Sequence, residues 1–407
     1  MQPGVAFSRR EGKSGAMRDH DAIILGAGAA GLMCALTAGQ RGRRVLLADH
    51  ADQPGKKILI SGGGRCNFTN IGAAPDRFLS ANPHFAKSAL RRYTPQDFLA
   101  LVEGHGIAWH EKTLGQLFCD GSARQIVAML VDECAKGAVD MKCGAPVDAV
   151  DHADGRFSVR LNGVTHSAPA LVIATGGPSI PKMGATGFAY DLARRFGLKV
   201  VEPRPALVPL TLGGADLMFR DLSGVATEVI ARCNKAQFRE AALLTHRGLS
   251  GPAILQISSY WRRGDTVTLD FLPGRDATAL LLAAKRDRPR ATLATALADH
   301  MPQRLAAMLA ERLALAGEMA GLTDKALRAA AARIGGWAFT PNGSEGYAKA
   351  EVTAGGVDTA GLSSQSMAAR TVPGLHVIGE AVDVTGWLGG YNFQWAWASG
   401  RAAGEVL

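Results

Sequence analysis

Four residues early in the chain have the types and spacing to hold a dinucleotide: Gly26, Gly28 and Gly31, in the pattern Gly-x-Gly-x-x-Gly, and Asp49. The first glycine permits a tight turn, the second lets backbone approach a pyrophosphate, and the third lets a helix pack closely on a strand. Ala29 and Ala30 open that helix, whose free N–H groups and positive dipole end suit phosphates. Asp49 is placed to accept hydrogen bonds from a ribose diol. The pattern alone does not separate one dinucleotide from another.

A second chemically dense run is Ser61-Gly62-Gly63-Gly64-Arg65-Cys66-Asn67, too rich in glycine for an interior strand or helix. Its successive glycines would expose N–H groups to an anion or a flat ring. Lys57, with Lys56 before it, either adds charge near a pyrophosphate or is a solvated loop lysine. Arg65 and Asn67 carry donors for a ring carbonyl or a substrate oxygen. A thiol with an ordinary pKa of about 8.5 is largely protonated at neutral pH. Cys66 therefore either protonates a substrate carbon or simply fits beneath a bound ring.

These residues need elements to position them. Ala22 to Leu25 reads as a short apolar strand, followed by an Ala/Leu-rich helix to about Gln40 and a second strand, Val45 to Ala48, ending on Asp49. Leu171 to Gly177 is a buried strand ending in Thr175-Gly176-Gly177. Val147 to Val150 and Phe157 to Leu161 alternate like hairpin strands. "GLHVIGEAVDV" is a strand ending in Gly379-Glu380, with Asp383 just beyond. A glycine-led, Ala-rich helix then starts around Gly389, Gly390, Tyr391 and Asn392.

"GKKILISGGGRCNFTN", "ATGGPSIPKMGATGFAY", "THRGLSGPAILQIS", "AEVTAGGV" and "GEAVDVTGWLGGYNFQWAWASGRAAG", in that order from about Asp21 to the C-terminus, resemble the HI0933-like flavoproteins. Their wider kin are flavoenzymes of the fumarate reductase and glutathione reductase type. The resemblance implies bound FAD, a three-domain architecture and reduction of carbon–carbon double bonds, on steroid acids or on a uridine of ribosomal RNA. It also implies that the strand ending at Thr175 re-enters beside the first, with its glycines close to the dinucleotide, and that backbone at Val147 contacts the adenine. The helix start at Gly389–Asn392 would face the flavin pyrimidine ring and stabilise its anionic reduced form. Asp383 would contact the ribityl or pyrophosphate region. Tyr391 is either a second proton donor or a structural residue beneath the helix start.

The expected fold is α/β: a Rossmann-like, three-layer ββα FAD-binding domain, discontinuous over residues 18–205 and 345–407. An inserted β-rich domain (206–274) and a helical subdomain (275–344) interrupt it. His246 and Arg247, in the motif near the end of the β-rich part, either face the flavin or cap the insertion. Residues 1–17 are polar and basic, lack the apolar stretch of a secretory signal, and are expected to form a disordered tail; Met17 is an alternative start. No apolar run is long enough to span a membrane. Six scattered cysteines, without metal-ligand spacing, fit reduced thiols in a cytoplasm.

Lys and Arg exceed Asp and Glu by 45 to 36, a net charge of +9. The helical stretch carries much of it, including Lys285, Arg286, Arg288, Arg290, Arg304, Arg312, Arg328 and Arg333. That stretch is either a solvated surface or a grip on a phosphate backbone, which would suit a ribosomal RNA partner. No second Gly-x-Gly-x-x-Gly with a following acid occurs, so either NAD(P)H visits the cleft transiently or electrons arrive by another route. The leading expectation is an FAD-dependent, NAD(P)H-linked oxidoreductase acting on RNA uridine or a small enone or steroid acid. The rivals are a flavin-containing redox-responsive binding protein and a flavin oxidase of a small molecule.

Overall fold

The computed structural model describes residues 18–407, so the tail expected at 1–17 lies outside the described residues. Four apolar residues closed by a glycine make β1 (Ala22–Leu25), buried along its whole length as a central parallel strand must be. Gly26 then turns at φ +108°, where a Cβ would stand 2.6 Å from the Ala174 carbonyl oxygen. The turn delivers α1 (Ala29–Gln40), after which β2 (Val45–Ala48) returns beside β1. With β3 (Asp140–Lys142), β4 (Ala170–Ile173) and β5 (Leu375–Val377) they form one sheet in the order β5-β4-β1-β2-β3, parallel throughout. As expected, β4 re-enters next to β1.

A terminal helix, α2 (Tyr391–Gly404), packs on α1 with almost no side chain between them. A Cβ on Gly400 would lie 2.5 Å from the Ala30 carbonyl oxygen, and one on Gly404 2.6 Å from Thr37 Cβ. The helices therefore run in the same direction, and their N-termini open at the same end of the sheet. A three-stranded antiparallel meander, edged by Arg18–Asp19 in parallel, contains the expected hairpin, Val147–Ala153 with Arg156–Leu161, and contributes Val150, Phe157 and Val159 to the same core. Helix, parallel sheet and meander are the three layers of the ββα arrangement.

The chain leaves this body along the strand Val200–Ala206 and returns along Val352–Val357, which pairs antiparallel with it. Between them a seven-stranded sheet and the helices Ala277–Asp287, Leu293–Ala298, Gln303–Arg312 and Asp324–Ile334 share one core. Val229, Leu269 and Phe339 meet Leu281, Leu305 and Leu327 there. The sequence placed residues 275–344 in a separate helical subdomain, but Trp337–Phe339 and Gly343–Ser344 are strands of the sheet. Those runs are too short to show a period of two, and only long-range pairing reveals them. No helix of the described residues is long and apolar enough to cross a membrane.

Candidate functional site: a glycine-lined cavity

The N-termini of α1 and α2 both open on a cavity of about 750 Å³ that runs along the ends of β1, β2, β4 and β5. Its floor is the first turn: Gly26, Gly28, Ala29 and Ala30 line it. The glycines divide their work as the spacing implied. Gly31 lines nothing, and a Cβ there would stand 1.8 Å from the Gly26 carbonyl oxygen, so it serves helix–strand packing. Gly28 lies at φ −82°, a Cβ on it would meet no protein atom within 4 Å, and it borders the cavity. The space beside Gly28 is thus kept for something other than protein.

Asp49 also lines the cavity. One carboxylate oxygen accepts from the Ala27 N–H at 2.7 Å and the other from the Ala51 N–H at 2.8 Å, which fixes its orientation. Val147 is in the wall nearby, following Pro146. From β4, Thr175, Gly176 and Gly177 line the cavity, and the buried Thr175 hydroxyl has no hydrogen-bond partner in the protein. An open cradle at Gly28, two helix N-termini, an oriented acid and an unpartnered hydroxyl fit a dinucleotide in both shape and polarity.

Of the glycine-rich run, Ser61, Gly62, Gly63 and Asn67 line the cavity, and the amide groups of Asn67 and Gln116 meet at 2.9 Å. Gly389, Gly390 and Asn392 line it from the start of α2. Gly390, at φ +95°, would place a Cβ 2.4 Å from the Thr69 carbonyl oxygen, so this turn is closed to larger residues. Asn392 braces it, accepting from the Gly386 N–H at 2.8 Å and donating to the Gly386 carbonyl at 3.0 Å. Gly379 and Glu380 complete the wall. Lys57 lines the cavity too, but its ammonium donates to Glu380 Oε2 and Ser179 Oγ, both at 2.6 Å. Its charge is matched by protein rather than held out for phosphate.

Seven other nominated residues, Gly64, Arg65, Cys66, Asp383, Tyr391, His246 and Arg247, do not line the cavity. Cys66 is fully buried in the main core at φ +50°, and burial pushes its thiol up to about 12. The glycine turn rotates its side chain in towards the core, away from the cavity, so it is placed neither to protonate a substrate there nor to lie beneath a ring bound in it. Arg65 stays exposed on the outer side of that turn, next to Gly64. The Asp383 carboxylate is buried, accepts from the Ala81 N–H at 2.9 Å and does not line the cavity. Tyr391 is buried, and its hydroxyl accepts from Arg77 at 2.7 Å, which leaves it structural. His246 and Arg247 are exposed outside the cavity, with Arg247 paired to Glu345 at 3.3 Å.

The structure adds residues that were not nominated, although Glu351 lies within "AEVTAGGV". Gln116 and Phe118 come from a strand running back beside Asn67–Asn70. Leu207 and Glu351 enter where the chain crosses to and from the insertion, joined by the Glu351 N–H donating to the Leu207 carbonyl at 3.2 Å. Glu351 is exposed to the open cavity, and partial desolvation by its wall raises the carboxyl from its ordinary value, although Lys57 opposes the shift. No residue between 208 and 350 lines the cavity.

The HI0933-like protein Rossmann domain model matches residues 20–406. The "Ribosomal RNA dihydrouridine synthase" of Escherichia coli (strain K12) is 53% identical over 398 residues, 96% of this chain and 98% of that protein. The "3-dehydro-bile acid delta(4,6)-reductase" of Clostridium scindens is 29% identical, covering 94% of this chain and 98% of its own. Among solved structures, the 3-ketosteroid-delta4-(5alpha)-dehydrogenase from Rhodococcus jostii RHA1 superposes with a TM-score of 0.50 at 14% identity, over 95% of this chain and 96% of that one, a likeness of fold.

Proposed function

This chain belongs to the HI0933-like family of flavoproteins, and from that premise we propose that it is an FAD-dependent reductase of a uridine in ribosomal RNA. The carrying observation is the 53% identity that extends over 98% of a ribosomal RNA dihydrouridine synthase, so that relative and this chain correspond almost end to end. A flavin-dependent oxidoreductase is the coarser statement on which this rests.

Gly28 and the start of α1 would hold the pyrophosphate of FAD, Asp49 its adenosine ribose, and backbone at Val147 its adenine. Gly389, Gly390 and the start of α2 would meet the flavin ring, where a positive helix end favours the anionic reduced state. Reduced flavin supplies a hydride. In uracil, C6 is the carbon β to the C4 carbonyl, so hydride adds there and the resulting enolate takes a proton at C5. The protein's part is to position the base, exclude water and supply that proton.

The missing second dinucleotide motif makes a transient visit by NAD(P)H the simplest route for electrons to arrive. The basic helical insertion would contact RNA phosphates from outside the cavity, and such an enzyme would work in the cytoplasm. A small enone or steroid acid is the second reading, favoured by the relative of 29% identity that reduces a bile acid. Anaerobically reduced protein mixed separately with dihydrouridine-free ribosomal RNA, 2-cyclohexenone and air tests these readings. Rapid flavin reoxidation by RNA supports the uridine reading, and by the enone alone the second. Reoxidation by air alone with peroxide release marks an oxidase. No reoxidation marks a binding protein.

A further inference from the structure

The reduction needs a proton for the second carbon, and neither residue that the sequence nominated can deliver it: Cys66 and Tyr391 are buried away from the cavity. The titratable groups that do line it are Asp49, His50, Lys56, Lys57, Glu351 and Glu380. Asp49 is held by two backbone N–H groups, with His50 beside it at 3.4 Å. Lys56 pairs with Asp52 at 2.8 Å. Lys57 and Glu380 bind each other, and Glu380 also accepts from Ser179 Oγ at 2.9 Å and the Thr353 N–H at 2.8 Å. Among the described residues, the Glu351 carboxyl alone in this set has neither a hydrogen bond nor an ion pair.

Its position is also distinctive. Glu351 immediately precedes the strand Val352–Val357, opposite Leu207, at the crossover between the two bodies of the protein. Leu207 and Val352 form a small apolar cluster with Ala206 and Ala354, against which Leu388 packs. Leu388 adjoins Gly389 and Gly390, so Glu351 stands by the part of the wall that leads to the start of α2. The Glu351 side chain is exposed to the open cavity and carries no partner there, so it can meet a bound substrate, and desolvation by the surrounding wall raises its carboxyl from the ordinary value.

We propose that Glu351 is the catalytic acid that protonates the substrate carbon adjacent to the one receiving hydride. The proposal rests on the reductase reading above. Reduced flavin is the two-electron reductant: its hydride forms a C–H bond at one alkene carbon as the π bond breaks. The Glu351 O–H breaks as a second C–H bond forms, leaving oxidised flavin and a Glu351 carboxylate that solvent reprotonates. The charged group facing Glu351 is Lys57, from the helix Lys56–Ile60, itself neutralised by Glu380. Lys57 would stabilise the carboxylate formed after transfer.

The test uses flavin-loaded protein, reduced anaerobically and mixed with dihydrouridine-free ribosomal RNA, in wild type, Glu351→Gln and Glu351→Asp. Glu351→Gln should retain flavin and reoxidise roughly 10²–10⁴-fold more slowly, the usual contribution of general acid catalysis. The wild-type rate should fall as pH rises through the Glu351 pKa, Glu351→Gln should lose that limb, and Glu351→Asp should keep it with partial activity. Infrared spectroscopy of unreacted protein gives an independent readout: a protonated-carboxyl band at neutral pH that Glu351→Gln removes and Glu351→Asp moves. A Gln variant within a few-fold of wild type, or with an unchanged pH profile, overturns the assignment, as does a spectrum without that band. If reduced wild type ignores RNA, the substrate reading fails by itself, and the same comparisons with 2-cyclohexenone and by infrared still decide Glu351.

Discussion

Lys57 Nζ lies 2.6 Å from Glu380 Oε2, tying the helix that precedes the glycine-rich turn to the end of β5, 323 residues further along the chain. Ser179 Oγ bonds to both partners, donating to Glu380 at 2.9 Å and accepting from Lys57 at 2.6 Å. Three separate segments of cavity wall are therefore fastened by one polar knot. Lys57→Met should lower stability by about 1–3 kcal/mol, because it leaves a half-buried carboxylate without its charged donor. Denaturant unfolding measures this. The double variant with Glu380→Gln should lose less than the sum of the two single losses. Additive losses would mean that the pair is not coupled.

Gly28→Val and Gly31→Ala should fail in opposite ways. At Gly28 a Cβ meets no protein atom within 4 Å and the position borders the cavity, so the fold should survive while flavin content drops to background. At Gly31 even one methyl would sit 1.8 Å from a backbone oxygen, so the loss should exceed the ~1–3 kcal/mol usual for overpacking. Absorbance at the flavin bands and melting temperature separate the outcomes. Full flavin content in Gly28→Val would place the pyrophosphate elsewhere.

Glu133 gives the fold an acid-sensitive point away from the cavity. Burial would raise its pKa, but hydrogen bonds from Lys136, His105 and Gln40 outweigh that and hold it at about 2, against 4.5 when unfolded. The folded pKa is depressed, so its stabilisation is present above pH ~4.5 and is lost as pH falls towards ~2. The difference corresponds to about 3 kcal/mol, to order of magnitude. Glu133→Gln should flatten stability against pH across that window. An unchanged acid limb would mean other carboxylates control it.

The basic stretch around Pro289 is exposed, as the sequence implied, but most of its charge is already matched. Lys285 pairs with Asp324 and Arg286 with Asp287, each at 2.7 Å, and Arg288 pairs with Asp299. Arg290 is exposed beyond the helix end. If this stretch holds RNA, neutralising Arg286, Arg288 and Arg290 together should reduce the slope of log affinity against log salt by up to about 2–3, with flavin content unchanged. Identical slopes would place the RNA contact on another face.

The first strand–turn–helix–strand unit was legible almost residue by residue, because its turn admits only glycines and its strands are continuously apolar. The same logic identified the start of α2. Cys66 misled because a glycine-rich loop suggests exposure, whereas Gly62, Gly63 and Cys66 all adopt positive φ and wind the thiol into the core. Asp383 misled because two residues separate it from Glu380, enough for a turn to point it at Ala81. Glu351, although it lies within "AEVTAGGV", was not singled out, for the converse reason. It obeys no spacing rule and follows a buried alanine, and only the pairing of Val352 with Ala206 brings it to the cavity.

The most direct test of the account is to incubate the purified, flavin-loaded protein with a reductant and dihydrouridine-free ribosomal RNA, digest the RNA, and measure dihydrouridine by mass spectrometry. The account predicts that one uridine position gains two hydrogens, dependent on both flavin and reductant. RNA that stays unmodified while the same protein rapidly reduces 2-cyclohexenone would contradict the RNA substrate and leave a small-molecule reductase in its place.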